Sequence, residues 1–233
     1  MLKRIGCCVI IFCCVILAAC NNASENKENQ GLFIEWSDII QFNDIGYIST
    51  MRKEEVKLTK DDLDKELYKV KFTLAGNDKL KGHGSQNGDA SFLPVNTQVY
   101  SVKGYNSNFC LAAYNKWGDL TVYFAHTNAK AQKGEELLDI KDKVESISIQ
   151  SEINQKELAL ISDPQVINKM VDMILKAPID TNQRNSSERY YINFNLKKGI
   201  SFSCWYTFDG RVLSMGISLP LEFGEIIEKA VGK

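Results

Sequence analysis

The chain has 233 residues, 44% of them apolar, with 28 Lys and Arg against 29 Asp and Glu. A formal charge of −1 gives no basic field of the kind that grips nucleic acid or anionic lipid. The roughly 200 residues beyond the opening segment suffice for one large domain or two packed halves.

The first element is an uncharged run, Ile5 to Ala19, behind Lys3 and Arg4. As a helix it reaches about 22 Å, short of the ~30 Å hydrocarbon core, so its length suits a signal-peptide core rather than a span. It ends Leu17-Ala18-Ala19-Cys20. These four residues resemble the lipobox of bacterial lipoproteins. The resemblance implies lipid attachment to the Cys20 thiol, cleavage after Ala19, and residence on the extracytoplasmic face of the cell membrane. The alternative is a secretory signal cut elsewhere. Asn21 to Gly31 holds a single apolar side chain, Ala23, and reads as a flexible tether. Residues 1–19 carry Lys3 and Arg4 and no acid, so the chain after them has 26 bases and 29 acids, a charge of −3.

Five of the seven cysteines lie at or before Cys20, which leaves Cys110 and Cys204 in the body. An oxidising space permits a bridge between them, worth about 4–5 kcal/mol for so long a loop. Two separate buried thiols on apolar strands are the plainer expectation.

From 32 to 127 the chain reads as a β-rich half. "LFIEWSDIIQFNDIGYIS" suits two strands joined at Asn43-Asp44. Thr59 and Asp62 form a capping-box pattern, which predicts a short helix with Leu63 and Leu67 on one side. "YKVKFTL" alternates as a half-buried strand, and "FLPVNTQVYSVKGY" gives another with Pro94 at its leading edge. "FCLAAYNKWGDLTVYFAH" predicts a hairpin with Asn115 to Asp119 at its tip. The polar stretch Thr127 to Glu136 is a candidate boundary.

From 136 to 233 the pattern is α+β. "VESISIQ" and "ELALI" read as strands, and Asp163-Pro164 opens a helix with Ile167, Met170, Val171 and Ile174 at helical spacing. Three strands follow, "YYINFNL", "ISFSCWYTF" and "VLSMGISL", and then a helix after Pro220. The expected fold is α+β: a β-rich N-terminal half, then an antiparallel sheet with two helices packed on one face.

"WSDIIQFNDIGY" and "GDASFLPVNTQVYSVKGY" resemble stretches in uncharacterised lipoproteins of Gram-positive, bacillus-type bacteria. That group carries Asn-Gly and Gly-Thr where this chain has Asn43-Asp44 and Asn96-Thr97. The shared residues are turn chemistry, and the resemblance implies no activity.

Several residues are candidates for chemistry. His83, Ser85 and Asp89 lie in "KGHGSQNGDAS", which lacks the ending of a phosphate loop and the second glycine of a nucleophile elbow. A mobile loop is the plain alternative, with no carboxylate identified to orient His83. His126 ends an apolar strand, and the two histidines do not have metal spacing. Asp61, Asp62, Asp64 and Glu66 lack a calcium loop's glycine. Glu35, Asp38 and Asp44 flank aromatic residues, a hint of sugar chemistry set against a wet strand face. Arg184 and Arg189 bracket a serine-rich loop and could hold a carboxylate. Trp117 at a hairpin tip either folds over a neighbour, the favoured outcome, or meets a partner. Trp205 is either exposed or packed on the first half.

No cofactor motif is found. The expected function is a membrane-anchored extracytoplasmic lipoprotein with a non-catalytic binding module, using Trp117 and His83. The alternatives are a cell-envelope hydrolase, or an accessory subunit contacting an envelope protein or the cell wall.

Overall fold

The computed structural model describes residues 37–49, 58–77, 83, 85–180 and 189–233. The signal segment, Cys20 and the tether lie outside these residues, as do Glu35 and Arg184. Trp36–Lys233 forms one compact unit. Among the described residues no helix is long and apolar enough to cross a membrane.

The first sheet has eight strands. They are β1 (Ile39–Phe42), β2 (Ile45–Ser49), β3 (Leu63–Lys69), β4 (Phe72–Thr73), β5 (Asp89–Ala90), β6 (Gln98–Val102), β7 (Cys110–Tyr114) and β8 (Leu120–Asn128). Their order is β3-β6-β7-β8-β2-β1-β5-β4, antiparallel except for the β4–β5 pair. The β1–β2 turn is the expected one: Asn43 and Asp44 both have positive φ, 53° and 62°, the conformation a two-residue hairpin needs. The hairpin of β7 and β8 also forms, closed by Asn115 accepting from Trp117 N and Asp119 N.

Three expectations in this half need correction. Pro94 does not lead a strand: Thr97 N donates to Pro94 O at 3.1 Å in a turn with Asn96 at φ 70°, and β6 begins only at Gln98. The capping-box pair forms, with Thr59 N and Oγ1 donating to Asp62 Oδ2 at 3.0 and 3.1 Å, but the helix is one 3₁₀ turn, Lys60–Asp62. Leu63 then begins β3 opposite Val102. A spacing of four, Leu63 to Leu67, puts both side chains on one side of a strand as well as of a helix, so spacing alone does not separate the two. "YKVKFTL" is likewise not one strand. After Lys69 the chain leaves β6, and Lys71 N donates to Gly88 O at 2.8 Å before β4 pairs with β5.

The second sheet contains β9 (Val144–Ser151), β10 (Glu157–Ile161), β11 (Arg189–Leu196), β12 (Ile200–Thr207) and β13 (Val212–Leu213), in the order β10-β9-β11-β12-β13. Three helices accompany it: α1 (Gly134–Leu137), α2 (Pro164–Lys176) and α3 (Leu221–Val231). The Asp163 side chain caps α2 by accepting from Gln165 N at 2.8 Å. Helix α2 packs on β9 and α1, and α3 on β10. The fold is therefore α+β and strand-rich.

The third strand of the meander stops early. After Leu213 the chain makes a tight turn, with Gly216 at φ +81° and its N donating to Leu213 O at 2.8 Å. Leu213 N returns to Ile217 O at 3.0 Å. Leu213, Met215, Ile217 and Leu219 are nonetheless all buried, so the alternation reports burial and not straightness.

One continuous apolar core joins the sheets. Phe202 of β12 stacks on Phe194 at 4.7 Å and meets Phe109, in the turn just before β7, edge-on at 5.7 Å and Phe124 of β8 at 5.6 Å. Polar bonds add to this: Tyr105 OH donates to Lys197 O at 2.7 Å, and Lys198 Nζ to Asp62 Oδ1 at 2.8 Å. Thr127 to Glu136 crosses between the sheets, held where Gly134 N donates to Ala177 O at 2.9 Å.

Candidate functional site

The glycine-rich loop contains a histidine–carboxylate pair. His83 Nε2 lies 2.9 Å from Asp89 Oδ2, which also accepts from Gln86 N at 2.8 Å. Asp89 is only 4% exposed, and the His83 ring stacks on Phe72 at 4.2 Å. The carboxylate partner that the sequence reading did not identify is thus Asp89, inside the same segment. Ser85 does not complete a triad, because its hydroxyl is directed to Gln41 Oε1 at 3.5 Å. The pair pins the loop to β4 and β5.

The other acidic candidates disperse to separate partners. Asp62 meets Lys198, Glu66 meets Gln98 and Lys69, Asp38 accepts from Tyr123 OH, and Asp44 meets Lys130 and Asn87. The Lys130 and Asn87 contacts hold the Asp44 carboxyl below its usual range. Among the described residues no group of three His, Cys, Asp or Glu is placed to hold a metal.

Cys110 on β7 and Cys204 on β12 are both buried free thiols, so the optional bridge is not formed. Each packs in its own sheet, Cys110 opposite Phe124 and Cys204 opposite Ile192. Burial pushes both thiols far up, away from the reactive thiolate. Trp117 is 68% exposed at the hairpin tip, with Lys116 Nζ 4.5 Å from its ring centroid.

A concavity lies where the two sheets meet. It is a cleft of about 750 Å³, and beside it lies a smaller hollow of about 290 Å³; His126, Trp205, Ser214 and Met215 line both. His126 enters it through a β-bulge. Tyr47 pairs with Ala125 and Gly46 with Thr127, so His126 is the extra residue of β8. Such bulges re-aim a side chain. A Cβ on Gly46 would collide with Thr127 Oγ1, so the close approach of the strands here requires glycine. Burial lowers the His126 pKa and favours the neutral ring.

The opposite wall comes from β11 and β12. Arg189, Tyr191, Ser203 and Trp205 occupy the face away from the Phe202 core. Tyr191 and Trp205 sit edge-to-face at 4.7 Å, and the Arg189 guanidinium lies 5.2 Å over the Trp205 ring while pairing with Glu152. Behind them Ser203 Oγ donates to Asn193 Oδ1, Asn193 Nδ2 to Asn195 Oδ1 and Asn195 Nδ2 to Ser146 Oγ, at 2.7–2.8 Å. This network fixes the wall before any ligand arrives. The tight turn after β13 closes the cleft, held by Ser214 N donating to Trp205 O and Asp180 N to Gly216 O.

The structure thus brings Trp205, His126 and Arg189 together and leaves His83 and Trp117 elsewhere. The cleft offers an aromatic surface, a neutral imidazole and polar groups of both signs, which is equipment for holding a small polar molecule. No family model, curated protein or solved structure matches this chain.

Proposed function

We propose that the protein is a lipid-anchored envelope lipoprotein whose folded body is a non-catalytic ligand-binding module, with the ligand in the inter-sheet cleft. The cleft carries this reading: its volume, about 750 Å³, falls in the range of small-molecule sites, and its walls are set by strand pairing and side-chain networks. The anchor rests on Leu17-Ala18-Ala19-Cys20 and on the polar segment that follows it.

Thermal unfolding of residues 31–233 against sugars, amino acids, nucleotides and metals tests the binding function. A specific ligand at ~100 times its dissociation constant adds about 2.7 kcal/mol of stability. No shift with any class contradicts the reading. For the anchor, Cys20→Ala is expected to release the chain from the membrane fraction, and continued membrane association of that variant contradicts lipidation.

A second reading, an accessory subunit for an envelope protein or the cell wall, is favoured by the exposure of Trp117. It is expected to show as crosslinking to a partner on intact cells that Trp117→Ala abolishes.

A further inference from the structure

The chemistry lining the two lobes narrows the class of ligand, on the premise of the binding function proposed above. Ser37, Ser49, Thr127 and Ser214 line the lobes, and among the described residues no hydrogen bond engages their hydroxyls or the His126 ring. Each hydroxyl both donates and accepts, and a neutral imidazole does one of each through its two nitrogens. That is the complement of a molecule rich in hydroxyls. The charges point the same way. Among the described residues the Asp, Glu, Lys, Arg and His side chains on the walls are Asp180, Arg189 and His126. Arg189 already pairs with Glu152 and Asp180 lies on the same cleft wall, so among the described residues there is no surplus positive charge for an anion. Trp205 and Tyr191 supply the flat apolar surface on which a sugar ring's C–H face rests. An extended peptide is less suited. Strand β12 gives Tyr206 and Thr207 to β13 and its Trp205 carbonyl to Ser214 N, so the edge beside Trp205 is taken and only Ile200 to Cys204 stays open.

We propose that the cleft binds a linear, uncharged oligosaccharide that runs through both lobes, with one ring against Trp205 and its hydroxyls bonded to Ser37, Ser49, Thr127, Ser214 and His126. Because His126, Trp205 and Ser214 line both lobes, a ligand that occupies both is longer than one sugar, so oligomers bind more tightly than monomers.

The full chain, purified in detergent micelles, is tested on an array of neutral and acidic glycans and then titrated with any glycan it retains. The expected result is retention of uncharged oligosaccharides and at least tenfold weaker binding of the matching monosaccharide. The dissociation constant should change less than twofold between low and high salt. Ser214→Trp, an exposed turn position that lines both lobes, should weaken binding at least tenfold with an unchanged melting temperature, while Trp117→Ala binds normally. Retention of acidic glycans alone, or steep salt dependence, overturns the proposal. A silent array, together with stabilisation by an amino acid, a nucleotide or a hexapeptide library, overturns the sugar assignment and leaves the cleft as a ligand site. Silence throughout removes both.

Discussion

The Arg189 guanidinium lies over the Trp205 ring, 5.2 Å from its centroid, and so fixes one wall of the inter-sheet cleft. The planar cation stacks where a lysine ammonium would not. Arg189→Lys keeps the charge beside Glu152 and loses the stack, so it is expected to lower stability by about 1 kcal/mol. Urea unfolding of Arg189→Lys, Trp205→Leu and the double variant measures the coupling. A coupling of zero means that the stack contributes nothing.

Tyr206 is a second stress point. Its hydroxyl is buried with no hydrogen-bond partner among the described residues, and burial pushes its pKa up to about 12. Its ring packs against Phe223 of α3 at 5.3 Å. Tyr206→Phe removes an unsatisfied group and is expected to stabilise the fold by about 1 kcal/mol. A Cβ on Gly224 would lie 2.9 Å from the same hydroxyl. Gly224→Ala should therefore destabilise the wild type but raise the melting temperature of the Tyr206→Phe variant, where the added helix propensity is felt without the clash.

The Asp62–Lys198 contact makes a prediction in pH. The Lys198 ammonium and the Thr59 backbone and hydroxyl donors pull the Asp62 carboxyl down to about 2 from its usual 3.8. Because the folded value lies below the unfolded one, the contribution is full above the unfolded value and disappears as pH falls through the folded one. In a carboxyl-carbon NMR titration Asp62 should titrate near 2 in the wild type and closer to 3.8 in Lys198→Met. The acid limb of unfolding should move to higher pH in that variant. Equal titration in both proteins contradicts the assignment.

Gly134 lies where the chain passes from one sheet to the other. A Cβ there would run into the backbone carbonyl of Ile174 at the end of α2, which has no flexible side chain to yield. Gly134→Ala is expected to cost about 3 kcal/mol, the upper part of the overpacking range, as read by denaturant midpoint. A loss within 0.5 kcal/mol, the size of an ordinary surface change, means that the junction adjusts freely.

Much of the fold was legible because strand alternation is local. Tyr190, Ile192, Phe194 and Leu196 face the core as their spacing requires, and Asp163-Pro164 opens α2. Where two periods coincide, as at Leu63 and Leu67, spacing was silent and pairing with β6 decided. The cleft was hardly legible, since its walls are distant in sequence. The sequence leaves Trp205 either exposed or packed on the first half, Arg189 beside a serine-rich loop and His126 at the end of an apolar strand, with nothing to join the three. The bulge that turns His126 inward depends on Tyr47 and Gly46, on another strand. Trp117 shows the reverse: its place at a hairpin tip was plain, while its 68% exposure is a tertiary property that spacing does not report.

The most direct measurement is an amide NMR map of residues 31–233, titrated with whichever compound stabilises the fold most. The largest shifts should fall at His126, Trp205, Ser214 and Met215, the residues shared by both lobes. Shifts confined to Asn115–Asp119 around Trp117, or to the exposed Leu158 and Leu160 of β10, with the cleft unchanged, would contradict the account.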